Sequence, residues 1–132
     1  MTNEQRLLNA VKNELIDRYP TGWGGVAGVL LDTNDILTSI SPDFPNEGSS
    51  VCMELGSMLE AANQNKNITH TICLVRHDEM SPLKILSPCG ICLERLRFWG
   101  NDVMCALTSD SVLDLKFAKL SELQPHHWHK VY

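Results

Sequence analysis

The first twenty residues of the chain carry apolar side chains at intervals of three and four, the spacing of an amphipathic helix. The apolar positions are Leu7, Leu8, Val11, Leu15 and Ile16. Pro20 and the glycines that follow it end this predicted helix. Residues 26–31 and 36–40 are short apolar runs on either side of a polar turn, so they predict two successive strands. A polar loop is predicted over 41–50.

Helical and strand patterns alternate in the second half of the chain. Ser50 is suited to cap a helix whose apolar positions include Val51, Leu55, Met58, Leu59 and Ala62. Residues 70–75 predict a buried strand, and Pro88 is well placed to open a helix that runs to about Trp99. Residues 103–107 predict a further strand, 113–117 a loose strand or turn, and 119–123 a short helix.

The predicted order α-β-β-α-β-α-β indicates an α/β sandwich around a mixed sheet. The length of 132 residues suffices to bury one core, so we expect a single domain over 1–132. The net charge of −5 argues against a long nucleic acid as partner, because binding its phosphates needs clustered Lys and Arg. A small-molecule substrate is therefore favoured.

The pattern predicts a cytoplasmic protein with no membrane partner. No apolar run approaches the roughly 18 residues of a membrane span, and the first twenty residues lack the apolar core of a signal peptide. The five cysteines are an odd number, which suits reduced thiols and a metal better than disulfides.

The candidate chemistry lies in two short motifs, Cys52-Met53-Glu54 and Pro88-Cys89-Gly90-Ile91-Cys92. Three thiolates leave one position of a tetrahedral Zn²⁺ site for water, and a carboxylate two residues from the first ligand can move protons. Hydrolysis or hydrolytic deamination is the first hypothesis. Two other interpretations stay open: a Cys-x-x-Cys redox pair, and a closed four-cysteine site that recruits Cys73 or Cys105.

The predicted helices place these cysteines at helix N-termini, with Cys52 in the first turn of one helix and Cys89 and Cys92 in that of another. The partial positive charge of a helix N-terminus would offset part of the thiolate charge. Gly90 would leave room for metal or substrate between the two later cysteines.

The two motifs, in this order and about 35 residues apart, resemble those of the zinc-dependent cytidine deaminases, in the branch with Cys as first ligand. The likeness covers most of the chain: residues 26–31 are similar to the family's first strand, and Glu122-Leu123-Gln124-Pro125 to its C-terminal Glu-Leu-Leu-Pro. The resemblance implies a three-layer α/β/α sandwich with a mixed five-stranded sheet, and assembly into a homotetramer or homodimer.

The resemblance also implies roles for individual residues. Cys52, Cys89 and Cys92 would hold the zinc. Glu54 would take a proton from water, pass it to the ring nitrogen and later protonate the leaving amine. Backbone groups near Ser87 and the loop before Cys52 would hold the ring of an amino-heterocycle.

Three positions depart from the family pattern. An Asn-x-Glu that grips the ribose is replaced by Ser41 and Asp43, where the serine cannot reproduce the amide's donor and acceptor pair. The Arg-Gln after the second zinc motif is replaced by Leu93-Glu94, which leaves the thiolates more electron-rich unless Arg95 or Arg97 takes over. The family's Phe near the first strand is missing; Trp23, one position earlier, either stacks on a substrate or simply packs.

The tail 126–132 is rich in His and aromatic residues. The resemblance offers Trp128 or Tyr132 as an aromatic placed near a neighbouring subunit's site, and packing on its own subunit is the equal alternative.

Together these features predict zinc-dependent deamination of cytidine, deoxycytidine or a related nucleoside, with release of ammonia. The alternatives are a deaminase for a modified nucleoside or free base, similar to the blasticidin S deaminases, and a non-catalytic zinc-binding domain.

Overall fold

Helix α1 occupies Asn3–Arg18 in the computed structural model, which describes residues 1–132. The Oγ1 atom of Thr2 accepts a 3.1 Å hydrogen bond from the backbone N–H of Gln5 and so caps the helix. The other helices are α2 (Leu55–Asn63), α3 (Gly90–Leu96) and α4 (Leu120–Leu123). The strands are β1 (Gly24–Leu31), β2 (Ile36–Ser39), β3 (Ile68–Arg76), β4 (Lys84–Ile85), β5 (Met104–Ala106) and β6 (Phe117–Lys119). Short 3-10 turns lie at Glu47–Ser49, Arg97–Trp99 and Trp128–Val131.

The six strands form one mixed sheet in the order β2-β1-β3-β5-β6, with β4 paired to β3. Strands β3 and β5 are parallel, and the other pairs are antiparallel. The mixed sheet is confirmed. The strand beyond the expected five is β4, a two-residue pairing within the stretch after β3 that was predicted to be a loop.

The sheet separates two apolar clusters, so the structure has three layers, as expected. On one face α1 packs against the sheet, and the buried residues are Leu7, Leu8, Val11, Leu15, Val26, Leu30, Ile72, Leu74, Ile85 and Ala106. On the other face lie α2, α3 and α4, with Val29, Leu31, Met58, Ala61, Ile68, Cys92, Leu96, Val103, Cys105 and Leu120. Gly28 allows α1 to lie close to the sheet, because a Cβ there would overlap Cγ2 of Val11.

The predicted start of the second helix is wrong. Ser50 ends the 3-10 turn Glu47–Ser49, and α2 begins only at Leu55. Residues 51–54 form a turn in which the Leu55 N–H donates to the Cys52 carbonyl (3.1 Å). The hydroxyl of Ser39 on β2 donates to the Met53 carbonyl at 2.6 Å, which fixes this turn against the sheet. Cys52 therefore precedes the helix and does not lie in its first turn.

No helix combines the length and the hydrophobicity that crossing a bilayer requires.

Candidate metal centre and active site

Three cysteine sulfurs converge where α2 and α3 begin. Cys52 lies in the turn before α2, Cys89 is the N-cap residue of α3, and Cys92 lies in the first turn of that helix. Their Sγ atoms all lie within 4.8 Å of one another, and those of Cys52 and Cys89 are 3.5 Å apart. The fold thus brings together the three predicted metal ligands, although Cys89 caps α3 where it was expected inside the first turn.

The size of this cluster fits a zinc ion. Tetrahedral coordination with Zn–S bonds of about 2.3 Å separates the sulfurs by about 3.8 Å. Cys73 and Cys105, weighed above as fourth ligands, are buried in the sheet and lie outside the cluster. Three thiolates without a fourth protein ligand match an open site better than a closed structural one.

The three thiols differ in acidity. Burial raises the pKa of Cys92, and the negative charge of Glu54 raises it further. Burial also raises the pKa of Cys52. At Cys89 burial acts in the same direction but is outweighed by hydrogen bonds from the Cys92 backbone N–H, the Cys52 thiol and the Ile91 backbone N–H, so the pKa of Cys89 is lowered. The backbone N–H groups at the start of α3 thus favour the thiolate form of Cys89 over the thiolate forms of Cys52 and Cys92.

Glu54 is the carboxylate of the site. It is the N-cap residue of α2 and only 6% exposed, and its Oε2 accepts a hydrogen bond from the Cys92 thiol at 3.5 Å. Glu54 takes part in no ion pair in the chain. A buried carboxylate beside the metal ligands, with no cation to hold it, is placed to exchange protons.

Arg95 and Arg97 are the two residues that could replace the arginine missing after the second zinc motif, and Arg95 lies near a cysteine sulfur. Its Nη1 lies 4.0 Å from the Cys92 sulfur. Arg97 instead donates from Nε to Gln124 (3.1 Å) and from Nη1 to Asn101 (2.8 Å). Of the two candidates, Arg95 is therefore the one that contacts a ligand sulfur. The sequence contained this signal, since Cys92 and Arg95 are three positions apart on one helical face.

Three of the predicted substrate-binding residues line one cavity of about 470 Å³: Trp23, Ser41 and Asp43. One of its lining residues, Trp23, lies near Met53, which is next to Cys52 in the sequence. A Cβ at Gly25 would meet Met53 Sδ at 2.7 Å and the Trp23 ring at 2.8 Å, so the Trp23 ring reaches the residue that follows Cys52. Trp23 also makes an edge contact with Tyr19, with ring centroids 5.8 Å apart.

Ser87 forms hydrogen bonds with Thr108, a residue that the sequence did not indicate. The Thr108 N–H donates to the Ser87 hydroxyl at 2.8 Å, and the Ser87 N–H donates to Thr108 Oγ1 at 3.0 Å. This reciprocal pair positions the segment before Cys89, and no motif in the sequence points to Thr108.

Trp128 does not join the metal centre within the chain. It is 63% exposed and packs among the tail residues His127, His129 and Tyr132. A hydrogen bond between His127 and Glu94 connects the tail to α3.

Comparison with solved structures decides the family. The cytidine deaminase from Bacillus anthracis is 46% identical in sequence, over 99% of this chain and 93% of that chain, with a TM-score of 0.95. The chain belongs to the cytidine deaminase family. The resemblance inferred from the two motifs is thereby confirmed, while the likeness to blasticidin S deaminases stays a prediction.

More distant cytidine deaminases share the fold. The enzyme from Burkholderia pseudomallei is 16% identical, with a TM-score of 0.71 over 97% of this chain and 100% of that chain. The enzyme from Mycobacterium leprae is 14% identical, with a TM-score of 0.69 over 96% and 100%. No family model matches the sequence, and no curated protein matches it.

Proposed function

We propose that this chain is a zinc-dependent hydrolase that deaminates a cytidine-like nucleoside and releases ammonia. The observation that carries the proposal is the contact between the three-cysteine cluster and the buried carboxylate of Glu54. Similarity at 46% identity to a cytidine deaminase supports the same activity. A purely structural zinc site would not need Glu54, which is why the non-catalytic alternative is the weaker one.

Cys52, Cys89 and Cys92 would hold the Zn²⁺. The ion would supply a Lewis acid that makes water a nucleophile at neutral pH. Glu54 Oε2 would accept one proton from that water and deliver it to the ring nitrogen; it would then accept the second proton of the same oxygen, by then bonded to the ring carbon, and deliver it to the amine as the C–N bond breaks. Because Glu54 is buried and forms no ion pair, its carboxylate can exchange protons with the substrate without first separating from a cation.

We further propose that the cavity lined by Trp23, Ser41 and Asp43 receives the rest of the substrate. Trp23 offers an aromatic face, and the Asp43 carboxylate can accept a hydrogen bond from a sugar hydroxyl. Ser41 cannot make both hydrogen bonds of the family's amide at this position. This replacement favours a second candidate, a modified nucleoside or free base that makes different contacts with the loop 41–50.

The test is ammonia release by zinc-quantified protein with cytidine, deoxycytidine, cytosine and a panel of other amino-pyrimidines and amino-purines. Turnover of cytidine or deoxycytidine is the expected result. Turnover of another compound alone would select the second candidate. Silence across the panel with one zinc per chain would contradict the enzyme proposal. Asp43→Ala should lower kcat/KM for ribosides while leaving cytosine unchanged; equal kcat/KM for every substrate would exclude Asp43 as a hydroxyl acceptor.

We also propose that the chain self-associates into a homodimer or homotetramer. The support is an apolar surface between α2 and α3 in which Leu59 and Phe98 are exposed, beside Leu55, Met58 and Trp99. A contiguous apolar surface of this kind commonly marks a protein contact. Light scattering coupled to size exclusion should give a mass of two or four chains, and a mass of one chain would contradict this.

A further inference from the structure

Arg76, at the end of β3, is a buried cation without an anionic partner. Its residue is only 8% exposed, and none of the ion pairs in the chain involves it. Its Nη2 donates to the backbone carbonyl of Tyr19, whereas its Nε is buried and has no hydrogen-bond partner. Buried charges are normally paired, because removing a charge from water without a partner to replace the water is costly.

The two carboxylates that follow Arg76 in sequence are occupied elsewhere. Asp78 accepts hydrogen bonds from the Met80 N–H (2.9 Å) and the Ser81 hydroxyl (2.8 Å). Glu79 accepts a 2.7 Å hydrogen bond from the Gly22 N–H. Neither lies within 4.0 Å of the Arg76 guanidinium. The pKa of Glu79 is lowered chiefly by the Gly22 N–H and to a lesser degree by the charge of Arg76, but the loop forms no ion pair with Arg76.

Arg76 lines a cavity of about 350 Å³ together with Lys84, His77, Ser81 and Trp23. Lys84 is exposed, lies opposite Val75 in the β3–β4 pairing and forms no ion pair. The cavity is thus lined by two cations that form no ion pair, by further hydrogen-bond donors and by an aromatic side chain. No carboxylate side chain lines it.

We propose that this cavity is an oxyanion-binding site in which Arg76 and Lys84 hold a phosphate or carboxylate group. The Nη1 group of Arg76 donates to no protein acceptor and can form a charged hydrogen bond to an oxygen of such a group, and Lys84 adds a mobile point charge. Burial of Arg76 strengthens the attraction, since water does not screen it there.

Trp23 connects this site to the cavity with Ser41 and Asp43, because its ring lines both. The anion therefore has two possible sources: a free phosphate or carboxylate, or an anionic group carried by the nucleoside substrate. Binding of a free anion does not depend on the deaminase proposal. Only binding of an anionic group carried by the nucleoside substrate depends on that proposal.

The test is NMR of the arginine side-chain N–H groups during titration with inorganic phosphate, at constant ionic strength set with chloride. The Arg76 Nε–H signal, assigned with Arg76→Lys, should shift and saturate. Lys84→Ala should weaken phosphate binding by about tenfold, as expected for the loss of one charged hydrogen bond. Lys12→Ala, which removes an exposed lysine on α1, should leave binding unchanged.

Two results would overturn the proposal: no saturable shift of the Arg76 signal with phosphate, or equal phosphate affinity in Lys84→Ala, Lys12→Ala and wild type. To separate the sources, cytidine and cytidine 5′-monophosphate are titrated into zinc-loaded protein. A nucleotide that binds about tenfold tighter than both phosphate and cytidine assigns the site to the substrate. A nucleotide that binds no tighter than phosphate assigns it to a free anion. An active deaminase without phosphate binding would refute this site alone.

Discussion

The sulfur of Cys92 lies 3.5 Å from Oε2 of Glu54, across 38 positions of sequence. The contact exists because α2 and α3 begin side by side at one face of the sheet, so a carboxylate and a thiol meet at two helix N-termini. The function proposed for the protein depends on this contact between the Glu54 carboxylate and the Cys92 thiol.

If Cys52, Cys89 and Cys92 are the zinc ligands, removing one of them should affect zinc content, whereas removing another cysteine should not. Cys89→Ala should lose zinc and lower the melting temperature by about 5 °C or more, because metal binding is coupled to folding. Cys73→Ala, which alters a buried strand cysteine outside the cluster, should keep one zinc per chain. Metal analysis and thermal denaturation of both variants check this. Stoichiometric zinc in Cys89→Ala, or loss of zinc in Cys73→Ala, would show that the ligand set is wrong.

Zinc affinity should depend on pH. The pKa values of Cys92 and Cys52 are raised by burial, so in the metal-free protein these thiols hold their protons at neutral pH. Zinc must displace those protons, so the apparent affinity should rise with pH, by about tenfold per pH unit for each proton released. Chelator competition between about pH 6 and about pH 8 measures the slope. An affinity independent of pH would mean that the thiols are already ionised.

Arg95 should tune the metal centre through Cys92. Arg95→Gln removes the guanidinium 4.0 Å from the ligand sulfur, and we expect zinc affinity or kcat to fall about 10–100-fold. Arg97→Gln is the matched control, since Arg97 contacts Gln124 and Asn101. It should leave zinc affinity and kcat unchanged. Equal behaviour of the two variants in chelator competition would remove Arg95 from the metal centre.

Two glycines should respond in opposite ways to a methyl group. Gly28→Ala would push a Cβ into Val11 and should destabilise the fold by about 1–3 kcal/mol. A Cβ at Gly90 meets no protein atom within 4 Å, so Gly90→Ala should not lower the free energy of unfolding.

Activity then tests why a glycine stands at position 90. If it leaves room for metal or substrate between Cys89 and Cys92, Gly90→Ala should lose zinc or turnover, although its metal-free form should unfold with the same free energy as metal-free wild type. Full zinc content and turnover in that variant would show that the position has no such role.

Much of this site could be predicted from the sequence because its signals are local. The motifs around Cys52 and Cys89 fix ligand type and spacing, and the apolar periods of α1 and β3 define the two faces of the sheet. The start of α2 could not be predicted from Ser50, because that residue is equally suited to end the 3-10 turn Glu47–Ser49. The short strand β4 depends on pairing with β3 and carries no pattern of its own.

The sequence could not predict that Arg76 forms no ion pair. An arginine followed closely by Asp78 and Glu79 suggests an exposed ion pair. In the fold Asp78 instead accepts a hydrogen bond from the Met80 N–H, and Glu79 accepts one from the Gly22 N–H. Arg76 donates to the Tyr19 carbonyl. Only the tertiary structure shows which of these polar groups remain without a partner.

Glu54 is the residue that we propose to move the protons of a zinc-dependent deamination. The most direct test is ammonia release from cytidine by wild-type protein and by Glu54→Gln, both with measured zinc content. Glutamine keeps the shape of the side chain but cannot carry the proton. We expect equal zinc, an unchanged melting temperature and a loss of turnover of about a thousandfold or more. Turnover by Glu54→Gln within a few-fold of wild type at equal zinc content would show that Glu54 does not carry these protons.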